Sequence, residues 1–245
     1  MKNVMCLGLI LVTLLWTNAI YADAITLVYH KFPPYEFQED KKPAGIMVDI
    51  VQTIFERVNV PMKLKFLPFK RALKETKEGK NDGLFILYKT PERMEYFDYT
   101  EPVIHSPLVF FVRKDSNIKF QKLSDLKGLK IGIFRGYTYG AEFDNYPDYT
   151  LHPANSHESN MKKLILGRND AYICDKTVGI ISALKAEAMQ ELKILPNPYK
   201  VMTLYMVFTK GKHQNVIDKI NPIIKSMNAS GEIDKLIDKF IALQK

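Results

Sequence analysis

Two short stretches put charge at the ends of apolar strands. Leu84-Phe85-Ile86-Leu87-Tyr88 runs into Lys89-Thr90-Pro91-Glu92-Arg93, and Ala171-Tyr172-Ile173-Cys174 runs into Asp175-Lys176. In open α/β sheets, ligands bind beyond the carboxyl ends of the strands, which draws attention to Tyr88 to Arg93 and to Cys174 to Lys176. A guanidinium fork matches a carboxylate bidentately. Asp175 also stands where it could cap a helix starting near Thr177. Other chemistry is thinly represented. His152 and His157 are close in the chain but fall in an expected loop with no third ligand, so no metal site is expected. Cys6 and Cys174 are the only cysteines, which supports neither a disulfide framework nor a cysteine-rich zinc site. Cys174 lies in an apolar strand and reads as a small buried hydrophobe. Asn228-Ala229-Ser230 fits a glycosylation pattern and is read as chance.

The elements that must hold these groups show in the residue pattern. Ile25 to Tyr29 is β-rich, and Lys31-Phe32-Pro33-Pro34-Tyr35 breaks it. Ile50, Val51, Ile54, Phe55 and Val58 fall at helical spacing, predicting a helix over 46–58. Met62, Leu64 and Phe66 alternate with lysines as a strand, and a helix over about 70–78 ends at Gly79. With 84–88 this makes a β-α-β-α-β run, which argues for a mostly parallel sheet. The pattern then restarts. Residues 108–112 are extended, 130–134 form a strand, and 135–140 turn into a helix. A further helix carries Met161, Leu164 and Ile165, followed by the strand 171–174 and a helix over 178–190. Residues 203–208 are extended, and helices at about 214–227, with Pro222 inside, and 231–243 close the chain. Gly79-Lys80-Asn81-Asp82 before one buried strand echoes Gly167-Arg168-Asn169-Asp170 before another, which favours two related lobes.

The chain has 245 residues, 47% hydrophobic and 25% charged, with a net charge of +8. That composition excludes a disordered or collagen-like chain. Residues 1–24 read as a secretory leader. Lys2 is the only charge before Asp23, Val4 to Trp16 is an almost unbroken apolar run, and Ala22-Asp23-Ala24 fits a cleavage site after Ala22 or Ala24. No cysteine follows it, so no lipoprotein signal is read. Beyond the leader no apolar run reaches the roughly 18 residues of a transmembrane helix. For an exported protein the positive charge implies an acidic envelope or an anionic ligand. The basic residues are scattered, and no nucleic-acid partner is expected.

Four stretches together resemble the bacterial extracellular solute-binding proteins of family 3, the polar-amino-acid-binding type. The first is Phe32-Pro33-Pro34-Tyr35-Glu36 with Gly45-Ile46-Met47-Val48-Asp49-Ile50. The second is Thr90-Pro91-Glu92-Arg93 with Phe97-Asp98-Tyr99-Thr100-Glu101-Pro102. The third is Leu123-Ser124-Asp125-Leu126-Lys127-Gly128 before Ile131-Gly132, and the fourth is Gly231-Glu232-Ile233-Asp234-Lys235-Leu236-Ile237. They span nearly all of the expected mature chain.

The resemblance implies an α/β fold of the type II periplasmic-binding-protein kind. Two lobes, each with a mixed, mostly parallel sheet, would be joined by crossing segments near 103–111 and 201–208, with the ligand between them. Lobe one would comprise 25–105 and 206–245, and lobe two 106–205. The implied protein is periplasmic, monomeric and not an enzyme, with no cofactor. It would deliver a small polar solute, an amino acid or related zwitterion, to the membrane permease of an ABC transporter. The alternatives are a ligand-sensing module for a membrane receptor and a cyclohexadienyl dehydratase-like enzyme. The latter needs a positioned acid or base, and the only matched carboxylate is Asp175. By the same resemblance Arg93 binds the ligand carboxylate, Asp175 receives its ammonium, Phe32 stacks on it and Phe69 forms a wall. Tyr137 and Thr138 match a pair that contacts the carboxylate at a helix N-terminus. Tyr137, Ile86 and Tyr88 depart from the smaller or hydroxyl residues usual there. Tyr88 is expected to line an altered pocket, and no specific amino acid transfers as ligand. Arg71, two after Phe69, is expected on a solvated helix face, the alternative being a second anion contact.

Overall fold

A computed structural model describes residues 24–244, so the leader expected at 1–24 lies outside the described residues but for Ala24. The first part of the chain forms β1 (Ile25–Tyr29), β2 (Phe37–Glu39), β3 (Lys42–Ala44), α1 (Ile46–Arg57), β4 (Met62–Phe66), α2 (Phe69–Lys77), β5 (Gly83–Leu87), α3 (Pro91–Met94) and β6 (Phe97–Tyr99). There follow β7 (Ile104–Arg113), β8 (Lys130–Phe134), α4 (Ala141–Asp144), β9 (Thr150–Ala154), α5 (His157–Ile165), β10 (Ala171–Asp175), α6 (Lys176–Lys185) and β11 (Leu192–Ile194). The strand β12 (Lys200–Thr209) and the helices α7 (Gln214–Ala229) and α8 (Glu232–Ala242) end it.

Parallel β4-β1-β5 form one sheet, with β12 antiparallel to β5 and β6 antiparallel to β12. Parallel β10-β8-β9 form the other, with β7 antiparallel to β10 and β11 on β7. The fold is the expected two-lobed α/β type, but the two sheets are continuous. Lys200 to Leu204 of β12 pair with β7, and from Tyr205 onward β12 pairs with β5 after a register shift at Tyr205/Met206. A bulge of this kind bends the strand and increases its twist, which lets one strand serve both sheets. Each sheet is packed on both faces. The first lies between a cluster built on Leu27, Ile50, Phe55 and Ile220 and one built on Val28, Leu84 and Leu87. The second lies between Phe110, Ile131 and Phe143 on one side and Phe111, Met161 and Tyr172 on the other. Cys174 is buried in the last of these clusters, as expected.

The sequence echo has a structural counterpart. Asp82 accepts from the Thr26 amide at 2.7 Å, and Asp170 accepts from the Lys130 amide at 2.8 Å. Each aspartate also donates its own amide to the carbonyl of that same residue. The two turns therefore fasten β5 to β1 and β10 to β8 by the same device.

Two expectations are corrected, and two further elements are ones the residue pattern hid. His152 lies in β9 and His157 opens α5, so neither is in a loop. Thr150 to Ala154 hides as a strand because it contains Pro153, which an edge strand with a single neighbour tolerates. The helix expected over 178–190 is Lys176–Lys185, because Glu187 turns left-handed (φ 55°) and β11 follows. The β2–β3 hairpin escapes notice because its turn uses Asp40 and Lys41, both with positive φ, in place of the usual Asn-Gly.

Candidate ligand-binding site

The segment after β1 is folded back on itself, with the Phe32 amide donating to the Glu36 carbonyl at 2.7 Å. Gly45, at φ 120°, lets the start of α1 approach this segment. A side chain there would meet the Tyr35 carbonyl oxygen at 2.5 Å. The segment is thus pinned, and it presents a line of aromatic rings. Tyr35 stacks on Phe32 (centroids 5.6 Å apart), Phe32 on His30 (6.2 Å), and His30 meets Phe69 (4.8 Å) at the start of α2. The Arg93 guanidinium follows, its Cζ 5.9 Å from the Phe69 centroid.

Arg93 is placed by a short capped helix. The Thr90 hydroxyl caps α3 by accepting from the Arg93 amide at 3.3 Å, and Pro91 opens the turn. The guanidinium is half-buried and its Nη1 donates to the Tyr88 carbonyl at 2.9 Å, a carbonyl that also accepts from Tyr99 at 3.3 Å. Just before Tyr88, Ile86 has φ 65° although it is β-branched. Such strain persists only where the surroundings over-determine it and gathers at ligand sites. Ile86 stands where the β5–β12 register shifts.

Asp175 ends β10, and its carboxylate is already busy. Oδ1 accepts from the Val178 amide at 2.9 Å, capping α6, so the capping role considered from sequence is real. Oδ2 accepts from the Ser106 hydroxyl on β7, and the Tyr35 hydroxyl lies 2.9 Å from both oxygens. Burial pushes the Asp175 carboxyl up to about 6, opposed by the Val178 amide and the Tyr35 hydroxyl. The same surroundings act on Tyr88. Burial and then the charge of Asp175 push its phenol up to about 12, with Tyr137 adding to the rise and Arg93 opposing it. Tyr88, Arg93, Asp175 and Tyr137 therefore share one electrostatic environment.

Tyr137 is half-exposed and lies on Phe134 at 4.5 Å. The Thr138 hydroxyl is engaged within the chain. It donates to Asp144, which also accepts from the Tyr139 and Gly140 amides at 3.1 and 3.3 Å. An internal carboxylate thus holds the Thr138 hydroxyl and the two amides after it, and α4 behind them is only four residues long. Arg71 is exposed and pairs with Glu75 at 2.6 Å, as expected of a helix surface. Residue types alone missed four participants: His30, Glu36, Ser106 and the Tyr35 hydroxyl. Only Tyr35 and Glu36 carried a signal, as polar ends of the Phe32-Pro33-Pro34 segment. Pro33 and Pro34 also line a cavity of about 290 Å³ faced by Val178, Ile181 and Lys185 of α6. A second cavity of about 350 Å³, lined by Gln52, Phe55 and Asn59, shares no residue with the aromatic row. Among the described residues there is no cluster of metal-ligating side chains, and no helix long and apolar enough to cross a membrane.

The family model for bacterial extracellular solute-binding proteins, family 3, matches residues 25–242. The chain belongs to that family. An arginine-binding periplasmic protein of Mannheimia haemolytica is 26% identical over 94% of this chain and 97% of its own length. The L-cystine-binding protein TcyJ of Escherichia coli K12 is 22% identical over 85% of this chain and 79% of its own. Among solved structures, substrate-binding domain 2 of Lactococcus lactis GlnP, in an open conformation, superposes with a TM-score of 0.70. It is 26% identical, covering 89% of this chain and 95% of that one. Family membership agrees with the four sequence stretches and with a solute-binding role.

Proposed function

We propose that this protein captures an α-amino acid between its lobes in the periplasm and delivers it to the permease of an ABC transporter, without chemistry of its own. The observation that carries this reading is the placement of Arg93. It is held by a cap and by the Tyr88 carbonyl over the Phe69 ring, and Tyr88 feels Arg93 and Asp175 with opposite sign. Arg93 takes the ligand carboxylate, Asp175 its ammonium, and Phe32, Phe69 and Tyr88 form the walls. Tyr137 covers the opening from the other lobe, and Thr138 stands apart from the ligand. In this reading lobe one is 25–105 with 206–245 and lobe two is 106–205, so the β7–β12 ladder is the hinge. The arginine- and cystine-binding names of the relatives support an amino acid as the class of ligand.

The test is a melting-temperature screen of the exported protein against the common amino acids, followed by calorimetry. A ligand at a hundredfold excess over its dissociation constant adds about 2.7 kcal/mol. No stabilisation by any amino acid overturns the reading.

A further inference from the structure

Glu36 is fully buried, and its Oε2 has no hydrogen-bond partner. Its Oε1 meets the His30 ring at Nδ1 and accepts from the His30 amide at 3.3 Å. The His30 ring in turn lies between Phe32 and Phe69, both assigned to the ligand walls. No other group among the described residues bonds this ring, so Nε2 is left for something outside the chain.

The proton count decides what Nε2 offers. In a neutral pair whose proton bridges Oε1 and Nδ1, the second proton sits on Nε2, whichever partner owns the bridging proton. An Nε2 lone pair requires one of two costlier arrangements. Either the pair is net negative, burying a carboxylate with an orphaned oxygen, or the carboxyl proton sits on Oε2, where a buried O–H has no acceptor. Burial raises the Glu36 carboxyl well above its usual range and pulls His30 down to about 4, consistent with the neutral pair. Nε2 is therefore an N–H donor, and Glu36 orients it as a buried carboxylate orients a histidine elsewhere.

We propose that His30, held by Glu36, is a specificity-determining residue that donates from Nε2 to an oxygen acceptor on the ligand's side chain. This rests on the amino-acid reading above and narrows it. Phe69 stands between His30 at 4.8 Å and Arg93 at 5.9 Å. A ligand anchored on Arg93 by its carboxylate lays its side chain across Phe69 toward His30. That side chain ends in an amide or carboxylate oxygen. A guanidinium or ammonium, which has no acceptor, would meet a donor with a donor.

Calorimetry of the exported protein and of His30→Phe, with L-glutamine, L-glutamate, L-norleucine and L-arginine, tests this. Phenylalanine keeps the aromatic packing and removes the donor. The wild type should bind glutamine or glutamate about tenfold or more tighter than norleucine or arginine. In His30→Phe that preference should vanish, while norleucine changes by less than about twofold. An equal loss for all four ligands makes His30 a packing residue and overturns the inference. So does tighter binding of arginine that Arg93→Ala abolishes, an outcome that leaves the amino-acid reading standing. If no amino acid binds either protein, the amino-acid reading itself fails and this inference goes with it.

Discussion

The Tyr35 hydroxyl lies 2.9 Å from each oxygen of Asp175, a contact between residues 140 positions apart. It ties the segment after β1 to the end of β10, and so one sheet to the other. Asp175 is also the group proposed to receive the ligand's ammonium, so that ammonium must displace the hydroxyl. A hydrogen bond to a charged group contributes about 1.5–3 kcal/mol. Tyr35→Phe loses that contribution in the unliganded form alone. Its melting temperature should fall, while an amine-bearing ligand should bind about 10- to 150-fold tighter. Paired melting curves and calorimetry check this. An unchanged affinity would mean that the hydroxyl keeps its bond in the complex.

Asp175 also predicts a pH dependence. Its folded pKa, about 6, is raised by burial above the ordinary carboxyl value of 3.8. A raised carboxyl favours the protonated folded state, so this group's contribution to stability is complete below about pH 4 and is lost as pH rises through about 6. Binding runs the other way, because an ammonium needs the ionised form. Affinity for an amino acid should fall about tenfold per pH unit below about pH 6. Asp175→Asn should bind more weakly at neutral pH and flatten that slope. Calorimetry at several pH values measures both, and a slope that survives in Asp175→Asn would assign the titration to another group.

Much of this site was legible in the residues, and what was not has physical reasons. Arg93 and Asp175 stand out through the family motifs that carry them, and the structure places Asp175 at the end of β10 and Arg93 in α3, just after β5. The bond from Thr138 to Asp144 was not legible, because a hydroxyl before a helix has the same appearance whether it serves a ligand or a carboxylate of the chain. The aspartate six residues on decides it, through a turn whose shape no spacing rule specifies. The His30–Glu36 pair is hidden because a polar pair this close in sequence reads as loop surface. Only the fold-back at Phe32–Glu36 buries the carboxyl. In the fold, strands with strong apolar alternation were plain, whereas β9 and the Asp40-Lys41 hairpin were masked by an edge proline and a glycine-free turn.

The position of Asp175 depends on how closely α6 can approach the sheet behind it. Gly179 is the point of contact. A side chain there would meet the Phe111 ring at 2.2 Å and the Cys174 sulfur at 2.7 Å. Phe111 is fully buried and has little room to move. Gly179→Ala should therefore cost about 1–3 kcal/mol of stability through overpacking, despite the helix propensity that alanine adds. Because the strain falls one turn from the α6 cap, ligand affinity should fall with it. Denaturant melts and calorimetry of the variant read both effects, and a stabilised Gly179→Ala would mean that the α6–β7 contact is looser than described.

The carboxylate clamp makes the most direct prediction. Arg93→Ala removes a half-buried guanidinium but strands little, since the Tyr88 carbonyl keeps its bond from Tyr99 at 3.3 Å. The unliganded melting temperature should therefore barely move. In the complex the loss is larger, because the ligand's carboxylate would be left desolvated without a partner. Truncating one side of such a charge pair costs about 2–5 kcal/mol, which weakens binding roughly 30- to 4,000-fold. Arg93→Lys should recover only part of this, since an ammonium keeps the charge and loses the two-pronged geometry. Ligand analogues separate the clamp from general damage. Amidating the ligand's carboxylate should weaken the wild type far more than Arg93→Ala, whereas removing its amine should weaken both alike. Asp175→Ala should show the reverse pattern, indifferent to the amine and sensitive to the amide. An Arg93→Ala protein that binds within about threefold of wild type would place the carboxylate elsewhere. The acceptor class proposed for the ligand's side chain would then have to be reconsidered from His30 alone.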